Sequence, residues 1–430
     1  MFLPLRLRRP RIHRFTAPLL GLGLVAGAVH AAPSLMTEVD SQAPESVTAS
    51  SEADQRRAGF NAWLADFRYE AAQQGIRQRT LDRVLGNVSY RADIIEHDRS
   101  QPEFVRPIWE YLDTAVSSTR INAGREKLEA QRDTARQMQQ RYGVPAEVIV
   151  AIWGIESHYG SHFGDYSTLN ALATLGFDGR RDDFARKELL AALKIIQAGD
   201  ISAAGMQGSW AGAMGHTQFL PSSFLAYAVD GDGDGQRDIW RSIPDVMAST
   251  AHYLAEAGWQ AGEPWGTEVS LPDDFDYTAT GQNSTADWRE RGVRAVNGKL
   301  PDFAGAKVIV PAGAEGPAFL TGPNFRSILR YNNATSYALA VAKLSDAIAG
   351  REGVVQSWPR EQAPLSRDDV FRLQQLLGRA GYGVGQADGI MGPNTRKGLR
   401  QFQRSQGLTP DGFATQALLE RLENRQGDAS

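Results

Sequence analysis

Glu156 is the side chain best suited to acid–base work. It shares one helical stripe with Ile149, Ile152 and Trp153, at i, i+3, i+4 and i+7. Burial among large apolar groups disfavours a charged carboxylate and raises its pKa. An acid that stays protonated near neutral pH can donate a proton to a leaving-group oxygen. A buried glutamate paired with an arginine would look the same in the sequence. A second stretch, residues 208–223 (GSWAGAMGHTQFLPSS), brings small residues together with Ser209, Gln218 and Ser222. These neutral groups suit the hydroxyls and amides of a sugar, and Trp210 and Phe219 could stack on its faces. A close helix crossing built on small residues is the alternative.

A third stretch reads DGDGDGQRD from Asp230. Carboxylates at loop positions 1, 3, 5 and 9 (Asp230, Asp232, Asp234 and Asp238), with glycine at 6, match the start of a calcium loop. Position 12 is Arg241 where such loops carry Glu, and Asp245 could supply the missing ligand. Hard oxygen donors favour Ca²⁺ over a transition metal, although a solvated Asp/Gly turn has the same composition. His158 and His162 lie four apart, but Gly160 between them ends the helix and weakens a zinc reading. No G-x-S-x-G elbow, P-loop or dinucleotide fingerprint occurs.

Several helices must hold these groups. Phe60, Trp63, Leu64 and Phe67 mark one, residues 120–142 a long polar one, and Pro145 opens the helix that carries Glu156. Residues 182–198, 221–229, 244–257 and 336–349 read as further helices, and 306–310 as a short strand. Residues 260–325 have the texture of a small β insertion. Residues 350–364 read as a linker. Beyond it, three apolar faces form a compact unit: Val370, Leu373, Leu376 and Leu377; Leu399, Phe402 and Ile390; Ala417, Leu418, Leu419 and Leu422.

Composition narrows the classes. With 42% hydrophobic and 22% charged residues the chain is globular. The absence of Cys excludes disulfides, thiolate metal sites, a cysteine nucleophile and a cysteine-linked lipid anchor. Arginines at 6, 8, 9, 11 and 14 precede the apolar run 17–31, which predicts a signal peptide over 1–31. Residues 32–54 are polar and read as a disordered spacer. The whole chain has a formal charge of −4, and losing an arginine-rich leader makes the remainder more acidic. That argues against nucleic acid as a partner. The C-terminal unit, by contrast, has more bases than acids, as a tether to an anionic polymer would.

The segments VPAEVIVAIWGIESHYG (144–160), GSWAGAMGHTQFLPSSFLAYAVDGDGDGQRDIW (208–240) and RYNNATSYALAVAKL (330–344) resemble the lytic murein transglycosylase B family. Residues 373–408 resemble the peptidoglycan-binding domain 1 module. The resemblance implies a mainly α protein: a lysozyme-like helical core, an extra helical subdomain, a small β insertion and a C-terminal three-helix bundle. It implies a catalytic domain over 55–349 and a peptidoglycan-binding domain over 365–425. It places the catalytic acid on Glu156 and substrate contacts on Ser209, Gln218, Tyr253, Tyr331, Asn332, Tyr337 and Tyr111. It assigns structural Ca²⁺ ligands to Asp230, Asp232, Asp234, the Gln236 carbonyl and, after a one-residue shift, Asp245. His216-Thr217 departs from the bulkier or proline-containing pair expected in GAMGxxQF and points to an altered subsite. The implied activity is cleavage of peptidoglycan glycan strands with formation of 1,6-anhydromuramic acid ends, in a Gram-negative periplasm, with wall-synthesis or wall-hydrolase complexes as partners. A hydrolytic muramidase and a non-catalytic wall-binding protein are the competing readings.

Overall fold

The computed structural model describes residues 45–99, 106–362 and 365–427. The expected signal peptide lies outside them. The expected spacer is corrected at its end, because helix α1 (Glu45–Gln73) already runs from Glu45. This helix buries Phe60 and Phe67 and leads to α2 (Gln78–Leu85), α3 (Ala92–Arg99) and α4 (Ile108–Ala115).

The helix read as continuous over 120–142 is two helices, α5 (Ser118–Ala130) and α6 (Arg132–Tyr142), joined at Gln131. No Gly or Pro marks the break. Both halves pack against α7 (Ala146–Ser157), with Gly124 buried on the first and Ala135 and Met138 buried on the second. A straight rod of that length could not follow α7 on both sides of the joint.

Helix α7 is the axis of the domain. From Ala146 to Gly154 only Glu147 is not buried, and α5, α6, α11 (Ile243–Glu256) and α14 (Thr335–Ile348) surround it. A second layer consists of α8 (Thr168–Asp178), α9 (Asp182–Ala198) and α10 (Pro221–Tyr227), with α8 against α9 and α1 and α2 outside them. Strands β1 (Tyr166–Ser167) and β2 (Gln207–Gly208) pair antiparallel beside this layer.

The insertion folds as an antiparallel sheet in the order β4 (Arg294–Ala295), β3 (Gly266–Ser270), β6 (Ala318–Thr321), β5 (Lys307–Ile309). Helix α12 (Thr285–Glu290) covers it and fills its core with Trp288. Helix α13 (Pro323–Tyr331) returns the chain to the main core.

The C-terminal unit is α15 (Arg367–Arg379), α16 (Pro393–Ser405) and α17 (Gln416–Gly427), with its own core of Val370, Leu373, Leu377, Leu399, Phe402 and Leu419. Two expected core members stand outside it. Ile390 is half exposed before α16, and Ala417 faces solvent on α17.

The linker is pinned along its described length. Glu268 accepts the Val355 and Gln356 N–H groups at 2.8 and 2.7 Å, and Lys343 donates to the Glu352 and Gly353 carbonyls. Trp358 packs on Trp109 and Phe319, and Arg360 pairs with both oxygens of Asp113. The C-terminal unit also touches the β subdomain directly, where Asp411 Oδ2 accepts the Ala314 N–H at 2.8 Å.

Candidate active site

Glu156 sits in the last turn of α7. The helix then stops abruptly. His158, Tyr159 and Gly160 all adopt left-handed backbone, at φ 50°, 59° and 85°. The Tyr159 N–H closes the end by donating to the Trp153 carbonyl at 3.3 Å. Two glycines make this turn feasible. A Cβ at Gly154 would meet the Tyr159 ring at 2.6 Å, and one at Gly160 would meet the His216 ring at 2.2 Å.

Tyr337, in the first turn of α14, donates to Glu156 Oε1 at 2.5 Å. Burial pushes the Glu156 carboxyl up from an ordinary 4.5 to about 7, with the Tyr337 hydroxyl pulling the other way. No acidic side chain among the described residues acts on it as well. Tyr111 from α4, Tyr253 from α11 and Tyr331 from the end of α13 complete the group. Burial is the main cause of the raised pKa of each tyrosine, and Glu156 adds to all four. Tyr111 and Tyr253 are pushed to about 12. All four therefore remain neutral donors through the physiological range.

The tyrosines also lock one another. The rings of Tyr253 and Tyr331 lie 4.7 Å apart, and Tyr331 stacks on Tyr337 at 6.5 Å. Tyr331 donates to the Thr217 carbonyl at 2.7 Å, and Ser157 donates to the His216 carbonyl at 2.9 Å. The backbone at 216–217 thus ties the glycine-rich loop both to α7 and to the tyrosines.

Within that loop, Gln218 has φ 50° and spends both amide protons on the Phe163 and Gly215 carbonyls, each at 2.9 Å. Its Oε1 is left to accept a hydrogen bond. Ser209 is buried and accepts from the Ala211 and Ala213 N–H groups, so its hydroxyl holds the loop turn. Asn332 caps α13, and its Oδ1 is buried without a partner among the described residues. The structure joins Glu156 to Tyr337 by a hydrogen bond and Tyr337, Tyr331 and Tyr253 by ring contacts, while Gln218 and Asn332 adjoin Phe219 and Tyr331 in the chain and Ser209 is tied only to its own loop.

Two aromatic and histidine expectations change. Phe219 is buried beneath Tyr253 and Tyr331, so it supports the tyrosines from below. His216 also faces inward, where its Nδ1 accepts from Trp153 Nε1 at 3.1 Å. It packs behind the loop, against Trp153 and Phe163. Sequence reasoning missed Arg120, which is buried, donates to the Thr114 carbonyl and reaches His158 at 2.6 Å. Its position inside a polar helix pattern gave no signal.

The acidic loop is organised by its own backbone. Asp230 accepts the Gly233 and Gly235 N–H groups, and these bonds hold its carboxyl below the usual range. Asp245 is fully buried, accepts the Gly231 and Asp238 N–H groups, and is raised by burial. Oxygens of Asp230, Asp232 and Asp245 lie within 4.8 Å of one another. Asp234 stands apart from that trio and accepts the Gln236 N–H. Three carboxylates, one of them fully buried, form a donor set for a hard divalent cation. The rings of His158 and His162 meet edge to face, and among the described residues the aspartate trio is the one group of metal-binding geometry.

A helical core around a buried carboxyl, a ring of tyrosines and an appended three-helix unit is an architecture shared with the transglycosylase SLT family and its peptidoglycan-binding module. Residues 59–346 match the transglycosylase SLT domain, and residues 366–422 match a peptidoglycan binding domain. The chain belongs to this transglycosylase family. It is 35% identical over 224 residues to membrane-bound lytic murein transglycosylase B of Escherichia coli strain K12; the match covers 50% of this chain and 60% of that protein's length. It is similar to SltB3 from Pseudomonas aeruginosa, solved in complex with NAG-anhNAM-pentapeptide, at 47% identity and a TM-score of 0.82, covering 85% of this chain and 99% of the other. The Escherichia coli lytic transglycosylase SLT35, solved in complex with calcium, is 28% identical with a TM-score of 0.58, covering 67% of this chain and 92% of the other. No helix among the described residues is long and apolar enough to cross a membrane.

Proposed function

We propose that this protein cleaves the β-1,4 bond between N-acetylmuramic acid and N-acetylglucosamine in peptidoglycan, leaving 1,6-anhydromuramic acid ends. The observation that carries this reading is a single carboxyl, pushed to about 7, with no acidic neighbour among the described residues acting on it. Hydrolytic glycosidases pair their acid with a second carboxylate, as nucleophile or as base for water. Here one group serves twice. Protonated Glu156 gives its proton to the glycosidic oxygen as the C1–O bond breaks. The substrate's own N-acetyl oxygen stabilises C1 as an oxocarbenium or oxazolinium ion. Glu156, now a carboxylate, takes the proton of the muramyl C6 hydroxyl, whose oxygen bonds C1 and closes the anhydro ring. No water is consumed, and Glu156 ends protonated as it began.

Tyr337 orients the carboxyl. Tyr111, Tyr253 and Tyr331, with Ser209, Gln218 and Asn332, hold the sugars on either side. Asp230, Asp232 and Asp245 would hold a structural Ca²⁺ that ties the acidic loop to α11, with Asp234 and the Gln236 carbonyl as outer candidates. The C-terminal module binds the sacculus. An N-terminal signal peptide delivers the chain to the periplasm.

Mass spectrometry of purified peptidoglycan digested by residues 32–430 tests the reaction. Fragments lighter by one water than reducing-end sugars are expected, and Glu156→Gln should abolish them while sacculus binding persists. Reducing ends of full mass would make the protein a muramidase. Binding without fragments would make it a wall-binding protein.

A further inference from the structure

Arg120 is a buried guanidinium on which no carboxylate among the described residues acts. Burial pulls its pKa down, and only Tyr159 and Tyr111 act the other way. A buried charge without a counter-charge is costly to keep. What Arg120 holds therefore matters.

It joins two segments. The first is α4, the helix of Tyr111. Arg120 Nη1 donates to the Thr114 carbonyl at 2.8 Å, in the last turn of α4, where carbonyls lack partners within the helix. Tyr111 stands one turn earlier, and both Glu156 and Arg120 act on it. The second segment is the turn that follows Glu156. Arg120 Nη2 donates to His158 Nε2 at 2.6 Å, and the Tyr159 hydroxyl donates to the Arg120 carbonyl at 2.8 Å. Burial, Arg120 and His162 all favour a neutral His158, as an acceptor for a guanidinium must be.

His158 and Tyr159 are the two side-chain-bearing residues of the turn held in left-handed backbone, at φ 50° and 59°. Such residues persist where their surroundings over-determine them. Arg120 supplies part of that constraint, because its guanidinium holds one of the pair and its carbonyl the other. The turn is itself rooted in the buried α7, so it is the fixed end of the bridge, and α4 is the element brought to it.

We propose that Arg120 is a positioning residue of the reaction, which clamps the end of α4 to the turn after Glu156 and so fixes the Tyr111 hydroxyl relative to the Glu156 carboxyl. The assignment rests on the reading that Glu156 and Tyr111 meet the substrate, and it gives Arg120 no contact with the sugar.

The test is a double-mutant cycle in the full mature chain, with soluble glycan strands as substrate and release of anhydro fragments as the readout. Arg120→Gln should lower kcat between about tenfold and about a hundredfold, the scale of a misplacement near 1 Å, with little change in KM. Tyr111→Phe should lower kcat by itself, and adding Arg120→Gln to it should cost almost nothing more, because the hydroxyl being positioned is gone. In a Tyr253→Phe background Arg120→Gln should cost its full amount, since α11 is outside the clamp. Arg120→Lys should not restore the rate, because an ammonium lacks the planar fork that serves Thr114 and His158 together. Kinetics are taken well below the lowest Tm of the set. If Arg120→Gln does not fold, His158→Asn replaces it in the cycle, since Asn tolerates left-handed backbone while the ring is withdrawn from Arg120. Four results would overturn the proposal: full activity without the clamp, equal losses in the Tyr111 and Tyr253 backgrounds, full rescue by Arg120→Lys, or a Tyr111→Phe variant of undiminished rate. The mass of the wild-type products is read separately, so failure of the clamp and failure of the proposed reaction are distinguishable.

Discussion

Replacing Glu156 by Gln should stabilise the protein, and only at neutral to alkaline pH. The folded chain keeps a proton on Glu156 up to about pH 7, whereas an exposed glutamate loses it near 4.5. Between these values the folded state binds more protons than the unfolded state. Stability therefore falls as pH rises through that window. Below it the carboxyl is neutral in both states and costs nothing; above it the full cost of a buried charge is present. At about 1.4 kcal/mol per pH unit, the interval amounts to about 3 kcal/mol. Gln is neutral at every pH, nearly the same size, and its Oε1 can still accept the Tyr337 hydrogen bond. Melting of wild type and variant should coincide near about pH 4, and the variant should melt several degrees higher near about pH 8. An equal gain at both pH values, or a loss at alkaline pH, would refute the idea that Glu156 is held as a buried acid.

Tyr337→Phe removes the hydroxyl that favours the Glu156 carboxylate, so the alkaline fall of kcat/KM should move upward from about 7. A hydrogen bond to a charged group is worth about 1.5–3 kcal/mol, which corresponds to about one to two pH units. A midpoint that stays or moves down in a pH profile of anhydro-product release would contradict the assigned bond. Chelation should lower the Tm of the mature protein, because a cation bound only by the folded state stabilises it. Asp245→Asn, at the buried corner of the trio, should remove that chelator effect, and identical melting with and without chelator in wild type would leave the aspartates as a turn. Glu268→Ala leaves the Val355 and Gln356 N–H groups unpaired and should speed limited proteolysis within 351–362, with a cost to stability of about 1–3 kcal/mol. Unchanged cleavage would mean that Lys343, Trp358 and Arg360 hold the strap without Glu268.

The parts of this architecture that were legible in the sequence are those written locally. The stripe of Ile149, Ile152, Trp153 and Glu156 obeys the helical period, so the carboxyl's burial followed from spacing alone. The tyrosines were different. Tyr111, Tyr253, Tyr331 and Tyr337 come from four helices, and no periodicity links positions so far apart; only the resemblance to a family grouped them. Asp245 sits beyond the loop whose pattern breaks at Arg241, and its place beside Asp230 depends on α11 folding back against the loop. The strap was opaque for another reason. Its composition is polar and irregular, and what pins it are partners such as Glu268 and Asp113, far away in sequence. The joint at Gln131 has no breaker residue because it answers a tertiary demand, contact with α7 on both halves. The inward turn of His216 was not legible, because a loop rich in small residues gives no sign of which side chains turn inward.

The neutral ring around Glu156 explains how one carboxyl can carry both steps of the proposed reaction. A second carboxylate nearby would repel the ionised form and drive Glu156 further upward. A paired arginine would drive it far down and leave no acid. The four tyrosines do neither. Burial holds them protonated, so they act as fixed dipoles, and one of them, Tyr337, stabilises the anion enough to offset part of the desolvation. The result is a group titrating at about 7, where acid and base forms differ little in free energy. A catalyst that must first give a proton and then take one back on the same bound substrate is best served by that balance. It is obtained here by burial opposed by one hydroxyl, with no charged side chain among the described residues acting measurably on the carboxyl.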